Sequence, residues 1–152
     1  MSDRTFDDAV RYSIRLLGLR AHGRSELYAK LKKKGFKPAV VEAAIARMES
    51  LGLIDDRSFA AGFVESMSRR RPEGKLKTRA RLLQKGLSEE VAEEMLTGYD
   101  PAAMCRAAAE KKMRTLTGPH ETKLKKLETF LRNRGFDWQT IKETVDIVTR
   151  DT

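Results

Sequence analysis

Few residues of this chain can carry out chemistry. There are two histidines, His22 and His120, one cysteine, Cys105, and one adjacent acidic pair, Asp55-Asp56. No local metal-ligand spacing joins the histidines to the cysteine. The Asp pair is explained more simply as a helix cap than as a metal site. Cys105 lies in an alanine-rich run and reads as a small core residue rather than a nucleophile. There is no phosphate loop of the GxxxxGKS or GxxxxGKT form, no GxGxxG after a strand and no GxSxG elbow. These residues give no reason to expect catalysis, a cofactor or a metal.

Positive charge is abundant. The chain has 31 Lys and Arg against 22 Asp and Glu, a formal charge of +9, and a pI near 9.8. Such a surplus favours polyanions through counterion release. Nucleic acid comes first and an anionic membrane surface second. The densest run holds Arg69, Arg70, Arg71, Lys75, Lys77, Arg79, Arg81 and Lys85, with Glu73 the one acid among them. If Leu76, Ala80 and Leu83 face the core, then Lys77, Arg81 and Lys85, four apart, form a stripe on another face. Cations in such register can meet successive phosphates or an acidic partner. A solvated helix face is the plain alternative. A secondary patch, Lys30, Lys32, Lys33, Lys34 and Lys37, also suits the negative end of a helix dipole. A third follows at Lys123, Lys125, Lys126, Arg132 and Arg134. The aromatic residues, including Phe6, Phe36, Phe130, Phe136 and Trp138, read mostly as core rather than as platforms for bases. Contact with single- or double-stranded DNA is then weak, to the backbone, and without sequence preference.

Helices must position these charges. Thr5 with Asp8 resembles a capping box, and Phe6, Val10, Ile14 and Leu17 follow at helical spacing. Ser25, Asp55 or Asp56, Ser88, Asp100 and Asp137 are candidate caps for later helices. Pro38 and Pro101 suit first turns, and a seventh helix runs from there to about Leu116. No segment alternates like a strand. The class is all-α, with nine short helices. Three junctions line up: Leu31-Lys-Lys-Lys-Gly35-Phe36, Leu82-Leu-Gln-Lys-Gly86-Leu87 and Leu131-Arg-Asn-Arg-Gly135-Phe136. Their glycines are 51 and 49 residues apart. This predicts three tandem three-helix repeats, over residues 1–52, 53–98 and 99–152, stacked into an elongated, curved body. The single cysteine excludes an internal disulfide, and no secretory signal opens at Met1. No apolar run approaches the ~18 residues of a membrane span. The expectation is a cytoplasmic protein.

The same residues carry a family resemblance. Arg20-Ala-His-Gly-Arg-Ser-Glu-Leu-Tyr-Ala-Lys-Leu-Lys-Lys-Lys-Gly-Phe36 resembles the opening motif of the RecX regulatory proteins. Leu53-Ile-Asp-Asp-Arg-Ser-Phe-Ala60 is similar to that family's acidic stretch, and Gly74-Lys-Leu-Lys with Leu83-Gln-Lys-Gly-Leu87 to its third motif. Gly23 stands where the family usually has Ser, Leu76 where Ile is common, and the Pro often found after the Gly of the third motif is missing. The resemblance implies a non-enzymatic, all-helical protein that lies in the groove of the RecA recombinase filament on DNA. It implies inhibition of strand exchange, ATP hydrolysis and coprotease activity; charge, at the matching position, leads to the expectation that the region of Lys77, Arg79 and Arg81 meets the filament. A regulator fitting a groove has no need to dimerise, so a monomer is expected. A stand-alone DNA-binding repressor is the alternative reading, and an adaptor without a nucleic-acid role is another.

Overall fold

Local signals at the helix ends account for most of the secondary structure. A computed structural model describes residues 5–150; the outermost residues of the first and third repeats, including Met1, lie outside them. Thr5 accepts from the Asp8 amide while Asp8 accepts from the Thr5 amide, and this box opens α1 (Phe6–Leu19). There follow α2 (Arg24–Lys34), α3 (Pro38–Ser50), α4 (Asp56–Arg70), α5 (Lys75–Gln84), α6 (Glu89–Leu96), α7 (Pro101–Met113), α8 (His120–Asn133) and α9 (Trp138–Arg150). Among the described residues there is no strand. Ser88, Asp100 and Asp137 cap α6, α7 and α9 through the amides of Val91, Ala103 and Thr140. The seventh helix stops at Met113, short of the expected Leu116, as the Thr115 and Leu116 amides turn back onto Lys112 and Met113. The junction glycines Gly35, Gly86 and Gly135 take φ of 108°, 84° and 85°. That region strains any residue with a Cβ, so the repeat keeps glycine there.

The chain divides into two compact units. One comprises residues up to Gly62 with Leu82–Ala92, the other Phe63–Arg81 with residues from Glu93 onward. In the first, α1, α2 and α3 pack pairwise around Ala9, Leu27, Leu31, Phe36, Val41, Ile45 and Met48. In the second, α7, α8 and α9 do the same around Ala109, Leu127, Leu131, Phe136, Ile141, Val145 and Val148. Each core position of the first triplet reappears in the third. Cys105 belongs to the second core, fully buried, and burial raises its thiol pKa.

Two apolar stripes differ from expectation. In α1, Phe6 and Ile14 are exposed, and Ala9 and Ser13 are buried instead. Ser13 hides its hydroxyl by donating to the Ala9 carbonyl at 2.7 Å. A small residue and a self-satisfied one let the helices approach where larger side chains would hold them apart. In α5, Leu76 is 79% exposed and Ala80 is exposed, whereas Thr78 and Leu82 are buried. Trp138 and Phe6 also correct the reading of the aromatics as core, being 55% and 41% exposed.

Ser25 does not cap α2. The helix starts a residue earlier, Gly23 has no side chain to offer, and Asp56 supplies the cap from another helix, accepting from the Arg24 amide at 2.8 Å. Asp55 meanwhile accepts from Arg57 and Ser58 at the start of α4. We expect Asp56→Ala to cost about 1 kcal/mol, the worth of an N-cap, read as a shift of the urea midpoint at unchanged slope. Asp55→Ala removes a cap from α4 and leaves α2 capped, so amide exchange of Arg24 distinguishes the two.

Candidate functional site

The basic block is organised around its one acid. Pro72, Glu73 and Gly74 are all buried just ahead of α5. The Gly74 amide donates to the Arg134 carbonyl at 2.9 Å, beside the Gly135 backbone. That contact, rather than the apolar pattern, sets which side of α5 turns inward. Thr78, a turn further on, is buried with its hydroxyl on the Gly74 carbonyl at 3.0 Å. Glu73 itself is 1% exposed. Arg81 forks onto it, Nε to Oε1 and Nη2 to Oε2, the latter at 2.9 Å. Arg71 Nε lies 3.5 Å and Lys77 Nζ 3.9 Å from Oε2. Burial alone would raise the Glu73 pKa; the Arg81 fork, with the charges of Lys77 and Arg71, outweighs it and holds the carboxyl below its ordinary range. The Tyr99 hydroxyl donates to the Glu73 carbonyl, and Lys77 also donates to the Asn133 carbonyl near the end of α8.

The block therefore has two kinds of member. Arg71, Lys77 and Arg81 hold Glu73, and Arg79 pairs with Glu93 at 2.8 Å. Arg70 binds the Ser66 hydroxyl and accepts Lys111 at its carbonyl. Arg69 and Lys75 are exposed, as is Lys85 just beyond the last residue of α5. Cations still outnumber acids: Arg134, whose pKa is lowered by burial and by the charges of Arg71 and Arg81, adds to the positive field.

The secondary patch is likewise part structural. Lys30 Nζ lies 2.8 Å from Nε2 of buried His22, whose Nδ1 lies 2.9 Å from the Arg20 carbonyl. An ammonium can only donate, so Nε2 accepts and Nδ1 carries the proton, the neutral ring. Burial lowers the His22 pKa, as do the charges of Arg20 and Lys30. Arg20 forks onto Glu26 at 2.7 and 3.0 Å, and Arg24 reaches Glu42 and Glu49. Lys32, Lys33, Lys34 and Lys37 are exposed. The sequence reading did not assign His22 or Glu73. A lone acid inside a run of eight cations was the available signal for Glu73.

Among the described residues, no group of three or more His, Cys, Asp or Glu could hold a metal, and no helix is long and apolar enough to cross a membrane.

Residues 9–48 match the first three-helix domain of RecX, 55–96 the second and 99–145 the third. A regulatory protein RecX of Chlorobaculum tepidum is 56% identical over 140 residues, covering 92% of this chain and 88% of that protein. One from Chlorobium phaeobacteroides is 47% identical over 150 residues, 99% of each. The crystal structure of RecX from Lactobacillus salivarius superposes with a TM-score of 0.78 over 95% of this chain and 97% of that one. At 21% identity that likeness shows the fold.

Proposed function

The chain belongs to the RecX family of regulatory proteins, and we propose that it is a negative regulator of the RecA recombinase. In this reading it binds the RecA–DNA filament in its helical groove as a monomer in the cytoplasm. It inhibits strand exchange, ATP hydrolysis and coprotease activity by occupying the filament, without catalysing a reaction. The observation that carries the proposal is the match of all three domains, in order, from residue 9 to 145. The +9 charge supports it, since a filament on DNA is a polyanion.

The basic block contributes the electrostatic share of that contact. Lys77, Arg79 and Arg81 also have internal partners, so reversing them perturbs stability together with binding. Arg69 and Lys75 are the cleaner probes. Adding the protein to RecA on single-stranded DNA at stoichiometric ratio should suppress ATP hydrolysis. Arg69→Glu with Lys75→Glu should weaken inhibition about tenfold and lower its salt slope by about 2. Undiminished hydrolysis with the native protein overturns the proposal. Tight, sequence-selective duplex binding with no effect on hydrolysis points to a repressor instead.

A further inference from the structure

The first and third helix triplets carry the same groove. Between α1 and α2 it is lined by Tyr12, Leu16, Lys30, Lys33 and Lys34. Beside α7 and α8 it is lined by Lys112, Leu116, Lys125, Lys126, Thr129, Phe130 and Asn133. Positions 12, 16, 30 and 33 of the first reappear at 112, 116, 130 and 133 of the third. Each encloses about 440 Å³. The leucine is kept, while aromatic and cation exchange walls: Tyr12 with Lys30 in one, Lys112 with Phe130 in the other. Both hold a cation over the ring. Lys34 Nζ lies 5.3 Å from the Tyr12 centroid, and Lys112 Nζ and Arg134 Cζ lie 4.9 and 4.6 Å from that of Phe130. None of the lining residues is acidic.

We propose that these grooves are two copies of one peptide-binding site, each taking an acidic segment that carries a large apolar side chain. The leucine of each groove, with the aliphatic stems of the lysines beside it, gains from burying an apolar group. The lysine rim meets carboxylates, with charge complementary to no neighbour already in the groove. A nucleobase is a poorer occupant, because cations already cover the rings on which it would stack. Two copies suit a partner built of identical subunits, which presents one segment repeatedly. The inference goes beyond the filament reading, and its test contains no recombinase, so the two can fail separately.

The test is a titration of the labelled full chain, followed by amide chemical shifts. One probe is a short peptide of aspartates and glutamates around a central leucine. A second has serine in place of the leucine, and a third is oligothymidylate. The leucine peptide should move Leu116, Thr129 and Phe130 together with Leu16 and Lys33, and bind about tenfold tighter than the serine peptide. Thr129→Glu should abolish the response of the third triplet and leave the first intact; Lys33→Glu should do the converse. Equal binding of the two peptides reduces the effect to net charge and overturns the proposal. So does a larger response of these resonances to oligothymidylate, or a response confined to one groove.

Discussion

Glu73→Ala should lower the stability of the chain by about 3 kcal/mol, the lower end for removing one partner of a buried ion pair. The lower end applies because the stranded cations can hydrate. The side chains of Arg81, Lys77 and Arg71 are 32%, 36% and 49% exposed, against 1% for Glu73. At 2–4 °C per kcal/mol for a chain of this size, the melting midpoint falls by roughly 6–12 °C. Glu73→Gln keeps the volume and one acceptor but loses the charge, so it should fall between native and alanine. The pH dependence has a definite sign. The folded carboxyl has a pKa below its ordinary 4.5, so the unfolded chain takes up the proton first as pH falls. The stabilisation is complete above about 4.5 and is lost as pH falls through the folded value. Glu73→Gln should lack that part of the acid limb. An alanine variant within about 1 kcal/mol of native, by urea denaturation at neutral pH, would contradict the role assigned to this residue.

Gly74→Ala should be destabilising by about 3 kcal/mol, at the top of the usual range for overpacking. A Cβ there would overlap the carbonyl oxygen of Gly135 and stand 2.6 Å from its carbon. Both obstacles are backbone, so no truncation of a neighbouring side chain should relieve them. Gly86→Ala is the contrasting case. It meets the Ser25 side chain, whose hydroxyl lies 3.3 Å from the Gly86 carbonyl, and its φ of 84° adds strain of its own. Ser25→Gly should recover part of the loss at Gly86, leaving the backbone strain of about 1 kcal/mol. No such partner exists for Gly74. Melting curves of the single and double variants measure both effects. Rescue of Gly74→Ala by Lys77→Ala, the side chain that a Cβ on Gly135 would meet, would show that the clash is not with backbone.

Gly74 opens the third motif of the sequence resemblance, Glu73 immediately precedes it, and the structure gives the three motifs mechanical roles. Arg20, His22 and Glu26 clamp the turn from α1 into α2. Asp56, from the acidic stretch, caps that same α2. Glu73 and Gly74, at the third motif, seat α5 against the last junction. The Asp56 and Gly74 contacts join one helix triplet to the next, and the residue types of all three motifs follow from capping, close backbone approach and charge burial.

Helix punctuation and the repeat are legible in the chain before it folds. Thr5, Ser88, Asp100 and Asp137 act on amides within three residues, and the junction glycines need positive φ wherever the chain runs next. Local causes are visible in local sequence. Which faces of α1 and α5 turn inward is set by packing, because close contacts at Ala9, Ser13, Gly74 and Thr78 override the apolar patterns of both helices. The fold also determines that Asp56 caps a distant helix and that three of the eight cations of the basic block are held by one carboxylate. Those pairings span tens of residues or depend on burial. A charge count along the chain cannot separate a cation that faces a partner from one that neutralises Glu73.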